Sequence, residues 1–104
     1  AVCVQGHWVI EARHALEGSE IKVVTVAGFP LGGAASDVKR LETEVAVDDG
    51  AHGIDVVLNV GRLKDGDDRY VLRELRDVIE AADERPVKAI LETCFLTREF
   101  HLCW

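Results

Sequence analysis

Methionine is absent from all 104 positions, and the chain opens directly on Ala1-Val2-Cys3-Val4, which already reads as a strand. Its far end is equally abrupt. Thr97-Arg98-Glu99 reads as a helix N-terminus with a cap and a first-turn acid, and seven residues follow Thr97. We therefore expect a segment of a longer protein, interrupted within its elements. Cysteine is scarce: Cys3, Cys94 and Cys103 are odd in number, far apart and without a CxxC pair. That pattern suggests neither a disulfide framework nor a zinc knuckle, and it fits a reducing cytoplasm. No apolar run approaches the roughly 18 residues of a membrane span, and no charged segment precedes an apolar one at the start. Basic residues are outnumbered, twelve against nineteen acids, for a net charge of −7. This balance argues against a nucleic-acid or anionic-membrane partner.

What is present suits one small soluble domain, with 48% hydrophobic and 30% charged residues. Ala1 to Gln5 is a β-type run, and Trp8, Val9, Ala12, Ala15 and Leu16 follow at helical spacing, with Gly18 placed after the helix end. Lys22 to Val26 is the next strand, and Ala27-Gly28-Phe29-Pro30-Leu31-Gly32-Gly33 can only be a loop. Ser36, as N-cap, opens a helix whose apolar positions are Val38, Leu41 and Val45 and which stops at Gly50. Gly53 to Gly61 is an apolar run suited to a strand buried on both faces. Arg62 to Asp67 reads as a polar turn. A third helix then carries Val71, Leu72, Leu75, Val78, Ile79 and Ala82 on one side, and Arg69, Arg73, Glu74, Arg76, Asp77 and Glu80 on a solvated face. Asp83-Glu84-Arg85-Pro86 ends it, and Val87 to Leu91 is the fourth strand.

Strand and helix alternating over short links call for parallel strands joined by crossovers. A doubly wound sheet and a (β/α) barrel both satisfy this. No GxGxxG or Walker pattern follows any strand, because Gly28 to Gly33 spells Gly-Phe-Pro-Leu-Gly-Gly. A full barrel needs about 250 residues, so four strands amount to half of one.

Within the apolar Gly53 to Gly61 run, Asp55 requires an explanation. An ionised carboxylate in apolar surroundings costs several kcal/mol unless paired or hydrogen-bonded, so it is either part of a site or a satisfied structural acid. Lys88 shares a strand face with Ile90 and Glu92 by the period of two, and pairing with Glu92 or Asp55 is its simplest role. Lys22, Lys39 and Lys64 fall at a strand start, on a helix and in a turn, where solvent exposure is expected. His101 and Cys103, with His7 and His14 remote, make a poor metal site.

Four stretches follow one another at set spacing: Ala-Val-Cys-Val before an amphipathic helix, Val23 to Gly32 (Val-Val-Thr-Val-Ala-Gly-Phe-Pro-Leu-Gly), Asp49 to Gly61 (Asp-Gly-Ala-His-Gly-Ile-Asp-Val-Val-Leu-Asn-Val-Gly), and Val87 to Cys94 (Val-Lys-Ala-Ile-Leu-Glu-Thr-Cys). In their order and spacing they resemble deoxyribose-phosphate aldolase, a Schiff-base aldolase family. The resemblance implies an α/β fold of parallel (β/α) units, about half of a TIM (β/α)8 barrel, strands two to five, in one partial domain over residues 1–104. It also implies a lyase that cleaves 2-deoxyribose 5-phosphate reversibly to glyceraldehyde 3-phosphate and acetaldehyde, with no metal and no organic cofactor.

By the same resemblance, Asp55 is the catalytic acid of the proton relay, and the imine-forming lysine lies on a later strand that this sequence does not reach. Cys3, Phe29 and Lys88 become candidate substrate-binding positions. The plain alternatives stand beside them: a small buried hydrophobe for Cys3, a plug over the barrel top for Phe29, and an internal ion pair for Lys88. Asn59 and Glu92, near strand C-terminal ends, are candidates for the mouth. Expected partners are a small phosphosugar or aldehyde substrate and further copies of the chain, joined through exposed sheet edges. A non-catalytic, self-associating half-barrel is the competing reading.

Overall fold

A computed structural model describes residues 1–90; the helix expected from Thr97, together with Glu92, Cys94, His101 and Cys103, lies outside the described residues. Strands β1 (Val2–Val4), β2 (Val23–Ala27), β3 (Gly53–Val57) and β4 (Val87–Ile90) form one sheet in the order β1-β2-β3-β4, with every neighbouring pair parallel. A 3-10 turn at Gly6–Trp8 leads into α1 (Val9–Ala15), and α2 (Ser36–Asp48) follows β2. After β3 come a short α3 (Val60–Lys64) and α4 (Asp68–Ala81). Strands that pair in chain order, each followed by a helix, are the repeating unit of a barrel wall. The three described βα units and β4 make a partial barrel.

The period of two in the strands decides where the core lies. Val23, Thr25 and Ala27 of β2 and Ile54 and Val56 of β3 are withdrawn from water against the helices. Val23, Ala27, Ile54 and Val56 join Val9, Ala46, Ala51, Val78 and Ala82 in the main apolar cluster. Each fully buried aliphatic side chain there contributes about 1.5–3 kcal/mol. Cys3, Val24, Val26, Asp55 and Lys88 alternate with these residues and therefore point to the opposite face, the side that forms a barrel's interior.

Four expectations are corrected. The polar turn expected from Arg62 begins instead as α3, because the Asn59 side chain accepts a hydrogen bond from the Arg62 amide at 3.1 Å and caps a helical turn. The Gly53 to Gly61 strand consequently stops at Val57, which leaves Asp55 at the strand's centre. Ser36 begins α2 without a capping hydrogen bond, and its hydroxyl donates instead to Glu74 Oε2 at 2.8 Å.

The fourth correction concerns which helix faces are buried. On α2 the expected core residues Val38, Leu41 and Val45 are exposed, and the buried face is Lys39, Thr43 and Ala46. On α4, Val71, Val78 and Ala82 are buried as expected, while Leu72 and Ile79 are exposed and Glu74, expected on the solvated face, is 1% exposed. Lys39 is 0% exposed, against the exposure expected of it. Each charge is buried because it answers the other: Lys39 Nζ lies 2.5 Å from Glu74 Oε1 where α2 packs on α4.

Candidate active site

Asp55 sits mid-strand on the inner face, in register with Val26 of β2 and Lys88 of β4. It is half-buried, with its neighbours Ile54 and Val56 turned into the core. Rigid sheet therefore fixes the carboxylate's direction. Alternate strands of a barrel contribute to one interior layer, and Cys3 of β1 reaches across β2 so that its Sγ lies 3.9 Å from Asp55 Oδ2. Burial first, and then the charge and hydrogen bond of Asp55, push the Cys3 thiol above its ordinary range. The thiol thus stays protonated beside a carboxylate that accepts from it.

Lys88 projects from the same face and is exposed, and no ion pair joins it to Asp55. The pairing with Asp55 is therefore not formed, and Glu92 lies outside the described residues. Both Asp55 and Lys88 line an open groove of about 530 Å³, together with Val24, Ile54, Val87 and His52. Asp55, Cys3 and Lys88 are thus brought to one face, where a carboxylate, a thiol and an ammonium can exchange protons with a bound carbonyl compound.

Two expectations for these residues change. Cys3 is exposed, so it is no buried hydrophobe; the described strands leave the inner face uncovered above β1. Phe29 is 47% exposed and lines a separate depression with Pro30, Leu31 and Glu42, away from the groove that holds Asp55. Asn59 is occupied as the cap of α3.

Sequence reasoning missed the Lys39–Glu74 pair altogether. Lys39 Nζ donates to Gly32 O at 2.7 Å, to Val57 O at 2.9 Å and to Glu74 Oε1. The available signal was spacing: Lys39, Thr43 and Ala46 share a helix face, as do Val71, Glu74 and Val78. Each triplet put one charge in line with small or apolar residues.

The parallel sheet order, with helices between the strands, defines the class, an α/β fold that forms part of a (β/α) barrel. The chain is similar to part of the deoxyribose-phosphate aldolases. It is 48% identical over 99 residues to the deoxyribose-phosphate aldolase of Clostridium botulinum strain Okra, covering 95% of this chain and 47% of that protein. It is 50% identical over 97 residues to the one from Streptococcus pneumoniae serotype 19F strain G54, covering 93% and 44%. The chain thus spans less than half the length of the curated relatives it matches. Among solved structures, the tetrameric deoxyribose phosphate aldolase of Aeropyrum pernix superposes with a TM-score of 0.80 at 28% identity, covering 93% of this chain and 41% of its own. The structure named QR15, an aldolase, superposes with a TM-score of 0.89 at 35% identity, covering 95% and 44%. No family model matches the chain.

Proposed function

We propose that this chain is part of a deoxyribose-phosphate-type aldolase, one that cleaves 2-deoxyribose 5-phosphate reversibly to glyceraldehyde 3-phosphate and acetaldehyde through a lysine imine. The placement of Asp55 carries the reading: a carboxylate mid-strand on the inner face, beside a thiol that donates to it and in register with a lysine on the neighbouring strand. Imine formation, carbon–carbon cleavage and protonation of the resulting enamine all move protons at neighbouring atoms, and an acid held by the sheet serves each step. In this reading Asp55 takes and returns the proton, Cys3 and Lys88 border the aldehyde, and Phe29 borders the mouth. The nucleophilic lysine is supplied from outside these 104 residues.

The test is direct. In the full-length protein that contains this segment, acetaldehyde and borohydride should trap a lysine adduct, and Asp55→Asn should lower kcat by about 10²–10⁴ while leaving the fold intact. The 104-residue chain treated alone should gain no adduct. A borohydride-stable adduct on Lys88 of the isolated chain would show that Lys88 is itself the nucleophile and would end this assignment.

A second reading is favoured by the open inner face. Among the described residues β1 and β4 are the edge strands, and Val24, Ile54 and Val87 line an open, largely apolar groove of about 530 Å³. A non-catalytic half-barrel would close both by pairing with a second copy. Sedimentation of the chain at several concentrations decides it, since a single monomeric species at all of them excludes the pairing.

A further inference from the structure

We propose that Lys39 is a positioning residue for the mouth of the site, holding the Gly28–Gly33 loop against the C-terminal end of the strand that carries Asp55. The inference rests on the aldolase reading only for its kinetic consequence; the clamp itself rests on geometry.

Lys39 lies on α2, and its side chain passes beneath the loop. A Cβ added at Gly28 would fall 2.7 Å from Lys39 Cε, so the loop backbone rests directly on the lysine stem. The ammonium then spends its three protons on three different segments: Gly32 O in the loop at 2.7 Å, Val57 O at the end of β3 at 2.9 Å, and Glu74 Oε1 on α4. Glu74 is held in turn by the Ser36 hydroxyl, which donates to its second oxygen at 2.8 Å. Val57 is two residues beyond Asp55, and the loop it is tied to carries Phe29. Gly32 stands against Leu58 so closely that a Cβ there would sit 2.1 Å from Leu58 O. The loop and the strand end are therefore pressed together with one cation between their carbonyls.

Stability alone does not account for this arrangement. A buried ion pair is generally no better than a well-packed apolar pair of the same volume, because the desolvation of both ions offsets their attraction. What an apolar pair cannot do is donate hydrogen bonds to two carbonyls on separate segments. The lysine supplies this, at the end of the sheet where barrel sites are built.

The discriminating variant is Lys39→Met combined with Glu74→Leu, which refills the space and removes the donors. It should unfold close to the parent's urea midpoint and well above that of Lys39→Met alone. Its Gly32 amide, which donates to Gly28 O at 2.7 Å, should nonetheless exchange with deuterium at least tenfold faster, while core amides such as that of Val56 keep the parent rate. In the full-length protein the same variant should raise KM for the phosphorylated substrate at least tenfold with kcat within twofold. Unchanged Gly32 exchange in a variant as stable as the parent overturns the clamp, and so does an unchanged KM in an active enzyme.

If the full-length parent lacks aldolase activity, the aldolase reading falls and the clamp is decided by exchange alone. A second measurement needs no variant. The Lys39 ammonium of the parent should give a slowly exchanging ¹⁵N signal with couplings through its hydrogen bonds to the carbonyl carbons of Gly32 and Val57. A rapidly exchanging ammonium overturns the proposal even if the double variant does not fold.

Discussion

Cys3 Sγ lies 3.9 Å from Asp55 Oδ2, across an intervening strand, and this contact ties the chemistry of the two side chains together. Burial is the first cause that raises the Cys3 thiol above its ordinary 9.0, and the Asp55 charge and hydrogen bond are the next two. Asp55→Asn removes the charge and keeps the shape. Alkylation of Cys3 by iodoacetamide, followed by peptide mass mapping, should therefore have its pH midpoint moved downward in the variant. The midpoint should stop short of the ordinary value, because the partial desolvation of the sulfur by its strand neighbours persists. Identical profiles for parent and variant would show that the carboxylate does not govern the thiol.

The Lys39–Glu74 pair makes a separate prediction about stability. Lys39→Met alone strands a carboxylate that is 1% exposed, and breaking a buried pair from one side costs about 3–5 kcal/mol. Adding Glu74→Leu should return the urea midpoint to within about 1 kcal/mol of the parent or above it. A single variant that loses less than 1 kcal/mol, the usual worth of a surface pair, would place the pair in water.

The same pair marks the limit of what could be read in advance. Strand and helix alternation, parallel order and the acid on β3 were all legible, since they follow from period-two and period-3.6 patterns and from glycine and proline punctuation. The faces of α2 and α4 were not. Hydrophobicity ranks Val38, Leu41 and Val45 above Lys39, Thr43 and Ala46, yet Leu41 is 59% exposed and Lys39 is 0% exposed. Only a partner distant in sequence reverses that order, and Glu74 is thirty-five positions away. Asp55 could be found because an acid inside an apolar run is locally odd; Glu74 could not, because charged neighbours on its own helix disguised it. A check follows directly: Leu41→Gln should change stability by no more than about 0.5 kcal/mol, the range for surface sites, whereas a core leucine would cost several times that.

His52 should make folding sensitive to pH. Its Nδ1 faces the Val23 amide at 2.9 Å and its Nε2 lies 2.6 Å from Arg13. Burial first, then the charges of Arg13, Lys22 and Arg85, lower its pKa from the ordinary 6.5. A group with a lowered folded pKa resists protonation in the native state while the unfolded chain accepts it. Its contribution is therefore complete above pH 6.5 and is lost as pH falls through the lower folded value. Thermal melts of the parent should lose Tm between neutral pH and the acid side of 6.5, and His52→Gln should flatten that slope. Equal slopes in the two proteins would exclude His52 as its source.

Backbone conformation gives a pair of opposite expectations at Gly32 and Glu84. Gly32 has φ +69°, and an added Cβ would meet Leu58 O at 2.1 Å. Neither the conformation nor the contact tolerates a side chain, and the obstruction is backbone that cannot swing aside. A non-glycine residue in the left-handed region costs about 1–2 kcal/mol, and overpacking adds about 1–3 kcal/mol, so Gly32→Ala should lower stability by about 2–5 kcal/mol. Glu84 presents the reverse situation. It stands at φ +68° directly after Asp83 at φ +49°, in the tight link between α4 and β4, and it is exposed. Glycine at this position removes the steric penalty but adds freedom to the unfolded chain, an effect of about 0.4–1 kcal/mol. The penalty is the larger of the two, so Glu84→Gly should raise the urea midpoint slightly. A fall in the midpoint for Glu84→Gly, or its retention for Gly32→Ala, would mean that the link and the loop do not hold these left-handed conformations in solution.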